Sequence, residues 1–81
     1  MQIHLIFFAI LEDKISAEPL LFEVKENCTA EDLIDLLSQK YPHASPILKS
    51  TRLALEDEYV GKKSILKDGE KYFLIPPVSG G

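Results

Sequence analysis

The chain has 81 residues, of which 46% are hydrophobic and 27% are charged, and its formal net charge is −4. A chain of this length supports one domain with one small core. Its basic residues are scattered, which argues against nucleic acid as a partner, because such binding needs a clustered basic face. The single cysteine excludes an internal disulfide and a multi-cysteine metal site. No apolar run approaches the about 20 residues of a membrane helix, and no signal-peptide pattern is present, so we expect a soluble, cytoplasmic protein.

The first part of the chain predicts two strands separated by a short helical segment. Gln2 to Ala9 carries apolar residues on both faces, which is typical of a central strand covered on both sides. Ile10 to Glu18 mixes apolar and charged residues before the break at Pro19 and could hold a short helix. Leu20 to Lys25 then alternates in the manner of a strand.

The clearest predicted element is a helix over residues 29–40. Thr29 is a favourable N-cap, and Asp32 occupies the position of a capping-box acid. Leu36 lies at the margin of a stripe of residues that follow helical spacing and are predicted to be buried. The stripe consists of Ala30, Leu33, Ile34, Leu37 and Tyr41. Pro42 ends the helix.

The second part of the chain predicts short strands and turns. Ala44 to Ser50 is a turn or a short helical piece, and Leu53 to Leu55 and Tyr59-Val60 are short strands on either side of an acidic turn. Asp68-Gly69 signals another turn. Lys71 to Ile75 is the last strand, and it is apolar on both parities.

This order of elements predicts an α+β fold with a mixed sheet of four to five strands. The first and last strands are expected to be central neighbours, with one main helix packed on one face of the sheet. That arrangement is the β-grasp, or ubiquitin-like, fold. We assign residues 1–75 to the β-grasp domain and residues 76–81 to an extended C-terminal Gly-Gly tail.

One helix covers only one face of the sheet, so the other face needs a separate explanation. Apolar surface is left there by Ile6, Phe8 and every second residue from Tyr72 to Ile75. Monomeric proteins rarely expose such a patch without a partner. We expect a docking surface on this face, with Phe8, Tyr59 and Ile75 at the interface. The alternative is that loops, or the segment after the first strand, cover it.

The segment that follows the last strand is the most informative part of the sequence. Pro76 and Pro77 cannot donate to a β-ladder, so they end the strand and lift the chain off the sheet. Gly80 and Gly81 follow two small residues, and fixing a glycine costs more conformational entropy than fixing any other residue. Such an end is understandable if another protein threads it into a narrow channel and modifies its carboxylate. A flexible end without a role is the alternative.

The remaining candidate residues have structural interpretations. Cys28 precedes the N-cap and is predicted to pack on Leu33 as a hydrophobic staple rather than to act in redox chemistry or sulfur relay. His4 and His43 are isolated and expected to be solvated or structural. No residues assemble a nucleophile, a base and an oxyanion hole, and none suggest a metal site. We therefore expect the domain alone to catalyse no reaction.

Several segments together resemble a known family. They are Phe7-Phe8-Ala9, Thr29-Ala30-Glu31-Asp32-Leu33, Leu55-Glu56-Asp57-Glu58-Tyr59-Val60, Leu66-Lys67-Asp68-Gly69-Glu70 and Ile75-Pro76-Pro77-Val78-Ser79-Gly80-Gly81. The chain resembles the ubiquitin-like sulfur carriers, and specifically the small subunits of molybdopterin synthase (MoaD type). It departs from many members at Ile10-Leu11-Glu12-Asp13 and at Leu55-Glu56, both away from the tail.

The resemblance implies a function in molybdenum cofactor biosynthesis. An adenylating enzyme (MoeB type) would use ATP to form an acyl-adenylate on Gly81, which is then converted to a thiocarboxylate. The thiocarboxylate would donate sulfur to cyclic pyranopterin monophosphate in the large synthase subunit (MoaE type), forming the dithiolene. The residues that enter the active site of that subunit would be Pro76, Pro77, Val78, Ser79 and Gly80. Two small and two large subunits would form a heterotetramer, and the carrier itself would bind no cofactor.

Other functions stay open at the level of sequence. The chain could carry sulfur for another pathway, such as that of thiamine or a tungsten cofactor. It could be a ubiquitin-like modifier joined to lysines, or an interaction module whose tail is inert. The double proline before the tail favours molybdopterin over thiamine, because the related thiamine carriers usually lack it.

Overall fold

The computed structural model describes residues 1–77, which form a five-stranded sheet with helices packed on one face. The strands are β1 (Gln2–Phe7), β2 (Leu20–Glu23), β3 (Arg52–Ala54), β4 (Tyr59–Val60) and β5 (Lys71–Ile75). The helices are α1 (Ile10–Lys14), α2 (Ala30–Lys40) and α3 (Ser45–Leu48), with a 3₁₀ segment over Pro42–Ala44. The strand order is β2-β1-β5-β3-β4. The predicted mixed sheet with one main helix is confirmed, and the division at residue 75 stays a prediction.

The sheet is mixed because its two central strands are parallel. β1 pairs with β5 in parallel and with β2 in antiparallel fashion, while β3 pairs antiparallel with both β5 and β4. The expectation that the first and last strands are central neighbours is therefore confirmed. The residues of β1, β3 and β5 that are buried on the side of α2 are Ile3, Leu5, Phe7, Leu53, Tyr72 and Leu74.

The start of α2 is fixed by its capping residues and by a distant loop. The Thr29 Oγ1 accepts a hydrogen bond from the backbone N–H of Asp32, and the Asp32 carboxylate accepts one from the Thr29 N–H, each at 3.1 Å. The predicted capping box is confirmed. The next two amides of the helix donate to the carbonyl oxygens of Ser64 and Lys62, at 3.1 and 3.0 Å. The loop before β5 thus completes the cap that the Thr29 side chain begins.

The body of α2 matches the predicted stripe. Ala30, Leu33 and Leu37 are buried, Ile34 and Tyr41 are half-buried, and Leu36 is exposed. The helix ends at Lys40, and the chain continues from Pro42 as the 3₁₀ segment.

Strand β1 is shorter than the predicted segment Gln2 to Ala9. Ala9 adopts φ 53° and ψ −131°, a conformation that cannot continue a strand. The chain turns there into α1, whose Leu11 is fully buried in the core. The His43 Nε2–H donates to the Lys14 carbonyl oxygen at 2.7 Å, which joins α1 to the 3₁₀ segment. The segment after β1 therefore packs with the helices and does not cover the opposite sheet face.

None of the helices in residues 1–77 has the length and apolar character needed to cross a membrane.

Candidate functional site

The face of the sheet opposite α2 carries apolar residues from four strands. In register, Ile6 of β1 lies beside Phe73 of β5, which lies beside Ala54 of β3, which lies beside Tyr59 of β4. Because side chains of paired residues lie on the same side of a sheet, these four share one face. We call this surface the open-face patch. Its accessible residues are Ile6, Phe8, Tyr59, Phe73 and Ile75, and Ala54 lies within it but is buried.

The patch is organised by contacts between its own side chains. The rings of Phe8 and Phe73 have centroids 5.8 Å apart and are tilted by 38°, a spacing at which aromatic pairs attract. The Arg52 guanidinium carbon lies 5.1 Å from the centre of the Tyr59 ring, which is a cation–π contact. Arg52 is also the register partner of Ile75. These contacts pre-arrange the surface before any partner binds.

The structure brings the three predicted interface residues onto this one face. Phe8 is 41% exposed and Tyr59 is 59% exposed, whereas Ile75 is half-buried between neighbouring strands. Phe73 was not singled out from the sequence, although it lies between Phe8 and Ala54 in the centre of the patch. Side chains alternate between the two faces along β5, so Phe73 is located once it is known which of these residues face the core.

The patch is apolar at the end of the sheet where the tail begins. On the open face of β5 the residues are, in chain order, Lys71, Phe73 and Ile75. The apolar residues therefore lie toward the C-terminal end of the strand. Pro76 is buried directly after the strand, and Pro77 is exposed. The chain therefore reaches solvent at Pro77, beside the patch. The predicted tail residues Val78, Ser79, Gly80 and Gly81 lie outside the described residues.

The side chains of residues 1–77 offer little chemistry of their own. No group of three or more His, Cys, Asp or Glu residues within them is placed to hold a metal ion. Burial raises the pKa of the Cys28 thiol above its ordinary value of 9.0, and the nearby Asp32 carboxylate raises it further. The thiol therefore stays protonated at neutral pH, which disfavours it as a nucleophile. Its burial in the same core cluster as Leu33 supports the predicted packing role.

The family model described as "ThiS family" matches residues 5–81 of the chain. The chain belongs to the ThiS family. A curated relative in Chlamydomonas reinhardtii, named molybdopterin synthase sulfur carrier subunit, is 34% identical over 83 aligned residues, and the alignment covers 100% of both chains. The expected resemblance to the MoaD-type sulfur carriers is confirmed.

Solved structures confirm the ubiquitin-like fold of this ThiS-family chain. SAMP1 from Haloferax volcanii superimposes with a TM-score of 0.79 at 21% identity, with 100% of both chains covered. A complex of subunits 1 and 2 of the molybdopterin-converting factor from Helicobacter pylori contains a chain that superimposes with a TM-score of 0.66 at 26% identity, again with 100% of both chains covered.

Proposed function

We propose that this chain is the sulfur carrier subunit of molybdopterin synthase and acts in molybdenum cofactor biosynthesis. The observation that carries the proposal is the open-face patch, which ends where Pro77 turns into solvent. A surface of this kind marks a docking site for a partner protein, and it lies beside the point where residues 78–81 begin. The full-length similarity to a relative named as such a subunit supports the same function.

The chemistry of Gly81 follows from the state of its carboxylate. A terminal carboxyl group has a pKa of about 3.3–3.7, so at neutral pH it is an anion and a poor electrophile. An adenylating enzyme of the MoeB type activates it with ATP, which forms the acyl-adenylate and releases pyrophosphate. A sulfur donor then displaces AMP and leaves a thiocarboxylate. The chain itself contributes the carboxylate and binds no cofactor.

The tail supplies reach and steric access. Residues Pro77 to Gly81 span at most about 16–18 Å at about 3.3–3.6 Å per residue, which is enough to enter a buried pocket on a partner. Gly80 and Gly81 lack a Cβ, so their backbone approaches a nucleotide or a pterin closely. The two prolines fix φ and so reduce the entropy lost on docking.

The large subunit of the synthase (MoaE type) is the proposed partner of the open-face patch. In the Helicobacter pylori structure, subunit 1 of the molybdopterin-converting factor is in complex with subunit 2. We extend this pairing to the present chain and propose a heterotetramer of two small and two large subunits. The carrier is then the sulfur-donating subunit, and the large subunit provides the catalytic groups. A cytoplasmic location also stays a prediction.

The first test changes Gly81. Gly81→Ala, or deletion of Gly81, should abolish sulfur transfer, because the added methyl group or the shortened tail misplaces the reacting carboxylate. The protein is incubated with its adenylating enzyme, ATP and a sulfur source, and intact mass is measured for the replacement of one oxygen by sulfur. Conversion of the pterin precursor is then measured with the large subunit.

Lys71→Ala is the matched control. Lys71 begins strand β5, whereas the tail follows the other end of that strand. This variant should load and donate sulfur like the parent chain. A Gly81 deletion that still transfers sulfur contradicts the proposal. Loaded protein that forms lysine conjugates but does not convert the pterin precursor favours the modifier, and thiazole-forming activity favours the thiamine pathway.

A further inference from the structure

Strand β2 is an edge of the sheet, and its outer side has no paired strand within residues 1–77. Met1 and Val24 exchange both backbone hydrogen bonds, with N···O distances of 2.8 and 2.9 Å. Hydrogen-bonded and non-hydrogen-bonded pairs alternate along an antiparallel ladder. The register with β1 therefore directs the N–H and C=O groups of Leu21 and Glu23 outward. They form an open row of two donors and two acceptors.

An open groove of about 900 Å³ lies between the end of this edge and α2. Val24 and Leu36 are among the apolar residues that line it. Leu36 projects from α2 with 41% of its surface exposed, and Leu21 projects from the opposite face of β2 with 57% exposed. A strand added beside β2 would send alternate side chains to opposite faces. One residue would meet Leu36 in the groove, and the next would meet Leu21.

The charges around the groove select the kind of segment that fits. Glu23, Glu26, Asp32 and Asp35 line the groove, whereas Lys25 is the only cationic side chain among the described lining residues. A second copy of this chain would bring the same four carboxylates to the contact, and like charges at a sheet edge oppose pairing. A segment with Lys or Arg would complement them instead.

We propose that the β2 edge and this groove, together the β2 groove, bind an extended segment of a partner protein by strand addition. The segment carries apolar residues in alternation with Lys or Arg. Its backbone pairs with Leu21 and Glu23, its cations extend past Leu36 into the groove toward Glu26 and Asp35, and its apolar side chains lie on the other face beside Leu21. The β2 groove lies at the edge of the sheet farthest from Tyr59, so a segment there leaves that part of the open-face patch accessible.

The test uses the full chain and a short capped peptide in which valine alternates with arginine. In an NMR titration at low salt, the largest amide shifts are expected at Leu21, Glu23 and Leu36. The same peptide with methylated backbone nitrogens should bind at least about tenfold more weakly, because strand addition depends on main-chain hydrogen bonds. A peptide in which valine alternates with glutamate should not bind.

Paired charge reversals distinguish the groove from general attraction to an acidic protein. Glu26→Lys combined with Asp35→Lys should weaken binding of the valine–arginine peptide at least about tenfold, since it replaces two attractive contacts in the groove with repulsive ones. Glu56→Lys combined with Glu58→Lys makes the same change in net charge beside the opposite edge strand, and it should weaken binding less than about twofold. All four side chains are exposed, and circular dichroism checks that both variants stay folded.

Three results would overturn the proposal. The first is a set of shifts centred on Phe8 and Tyr59 instead of Leu21 and Glu23. The second is an equal loss of affinity in the two double variants, and the third is equal binding of the methylated peptide. No readout involves sulfur, so failure here is distinguishable from failure of the proposed carrier function.

Discussion

Tyr72 lies on the face of β5 that is covered by the helices. Its ring is buried beside Leu5, and its hydroxyl oxygen accepts a hydrogen bond from the Lys67 backbone N–H at 2.9 Å. This bond holds the phenol on the core side of β5. Phe73 and Ile75 are then turned to the opposite face, where they form part of the open-face patch.

Tyr72→Phe tests this contact through stability. The variant should lower the free energy of unfolding at neutral pH by about 1–2 kcal/mol, because the Lys67 N–H loses its acceptor. Urea unfolding measures the change. Tyr59→Phe is the control, since the exposed Tyr59 hydroxyl has no protein partner in the described residues, and it should change stability by less than about 0.5 kcal/mol.

The free energy of unfolding of the parent chain and that of Tyr72→Phe should also depend differently on pH. Burial raises the pKa of the Tyr72 phenol above its ordinary value of 10.0, the hydrogen bond from Lys67 partly opposes this, and the Glu70 charge adds to it. The folded-state pKa exceeds the unfolded one, so the stabilising contribution is complete below the unfolded pKa. It is lost as the pH rises through the folded pKa. Above about pH 10 the parent chain should therefore lose stability more steeply than Tyr72→Phe. Equal slopes would contradict the burial effect.

At the scale of elements, the N-terminus of α2 is where local and long-range structure meet. The side chains of Thr29 and Asp32 each accept a hydrogen bond from the other residue's backbone N–H. Carbonyl oxygens of the loop before β5 accept hydrogen bonds from the next two N–H groups of the helix. A further bond runs from the Leu66 N–H to the Cys28 carbonyl oxygen at 2.8 Å. The cap therefore ties the helix to the strand that leads into the tail.

Thr29→Ala should lower the free energy of unfolding by about 1 kcal/mol, because the Asp32 N–H loses its side-chain acceptor. Thr29→Ser keeps the hydroxyl and should be nearly neutral. Thermal and urea unfolding of the three proteins give the comparison. Equal destabilisation by both substitutions would mean that the Thr29 methyl group, rather than its oxygen, matters.

For the whole molecule, the two faces of β5 have different roles. Leu74 is fully buried beneath α2, whereas its neighbour Phe73 lies in the open-face patch. One face holds the domain together, and under the proposed function the other face holds the large synthase subunit. Alanine substitutions at these adjacent positions separate the two roles.

Leu74→Ala should lower the free energy of unfolding by about 2–5 kcal/mol, through lost burial and the cavity that remains. Phe73→Ala should cost about 1 kcal/mol, mainly from its contact with Phe8. By contrast, Phe73→Ala should weaken binding to the large subunit at least about tenfold, as expected of a central aromatic anchor. Calorimetry with the purified large subunit measures this. Unchanged affinity in Phe73→Ala would place the interface elsewhere.

The sequence alone determined the features that rest on local chemistry. Thr29 and Asp32 predict the start of α2, because capping depends on residues three apart, and Pro42 predicts its end. The Asp68-Gly69 turn was equally local, and Gly69 adopts a φ of 81°. Several segments together, above all the one from Ile75 to Gly81, indicated the family.

Only the tertiary structure decided how distant segments meet. The parity of β5 is set where Tyr72 and Leu74 pack in the core, and the end of β1 depends on the conformation of Ala9. The outward direction of Leu21 and Glu23 follows from their register with β1. A one-residue shift in pairing would turn every side chain of a strand to the other face, so apolar residues on both parities leave the choice open. Which surface of this small domain faces a partner is therefore fixed by long-range pairing and packing.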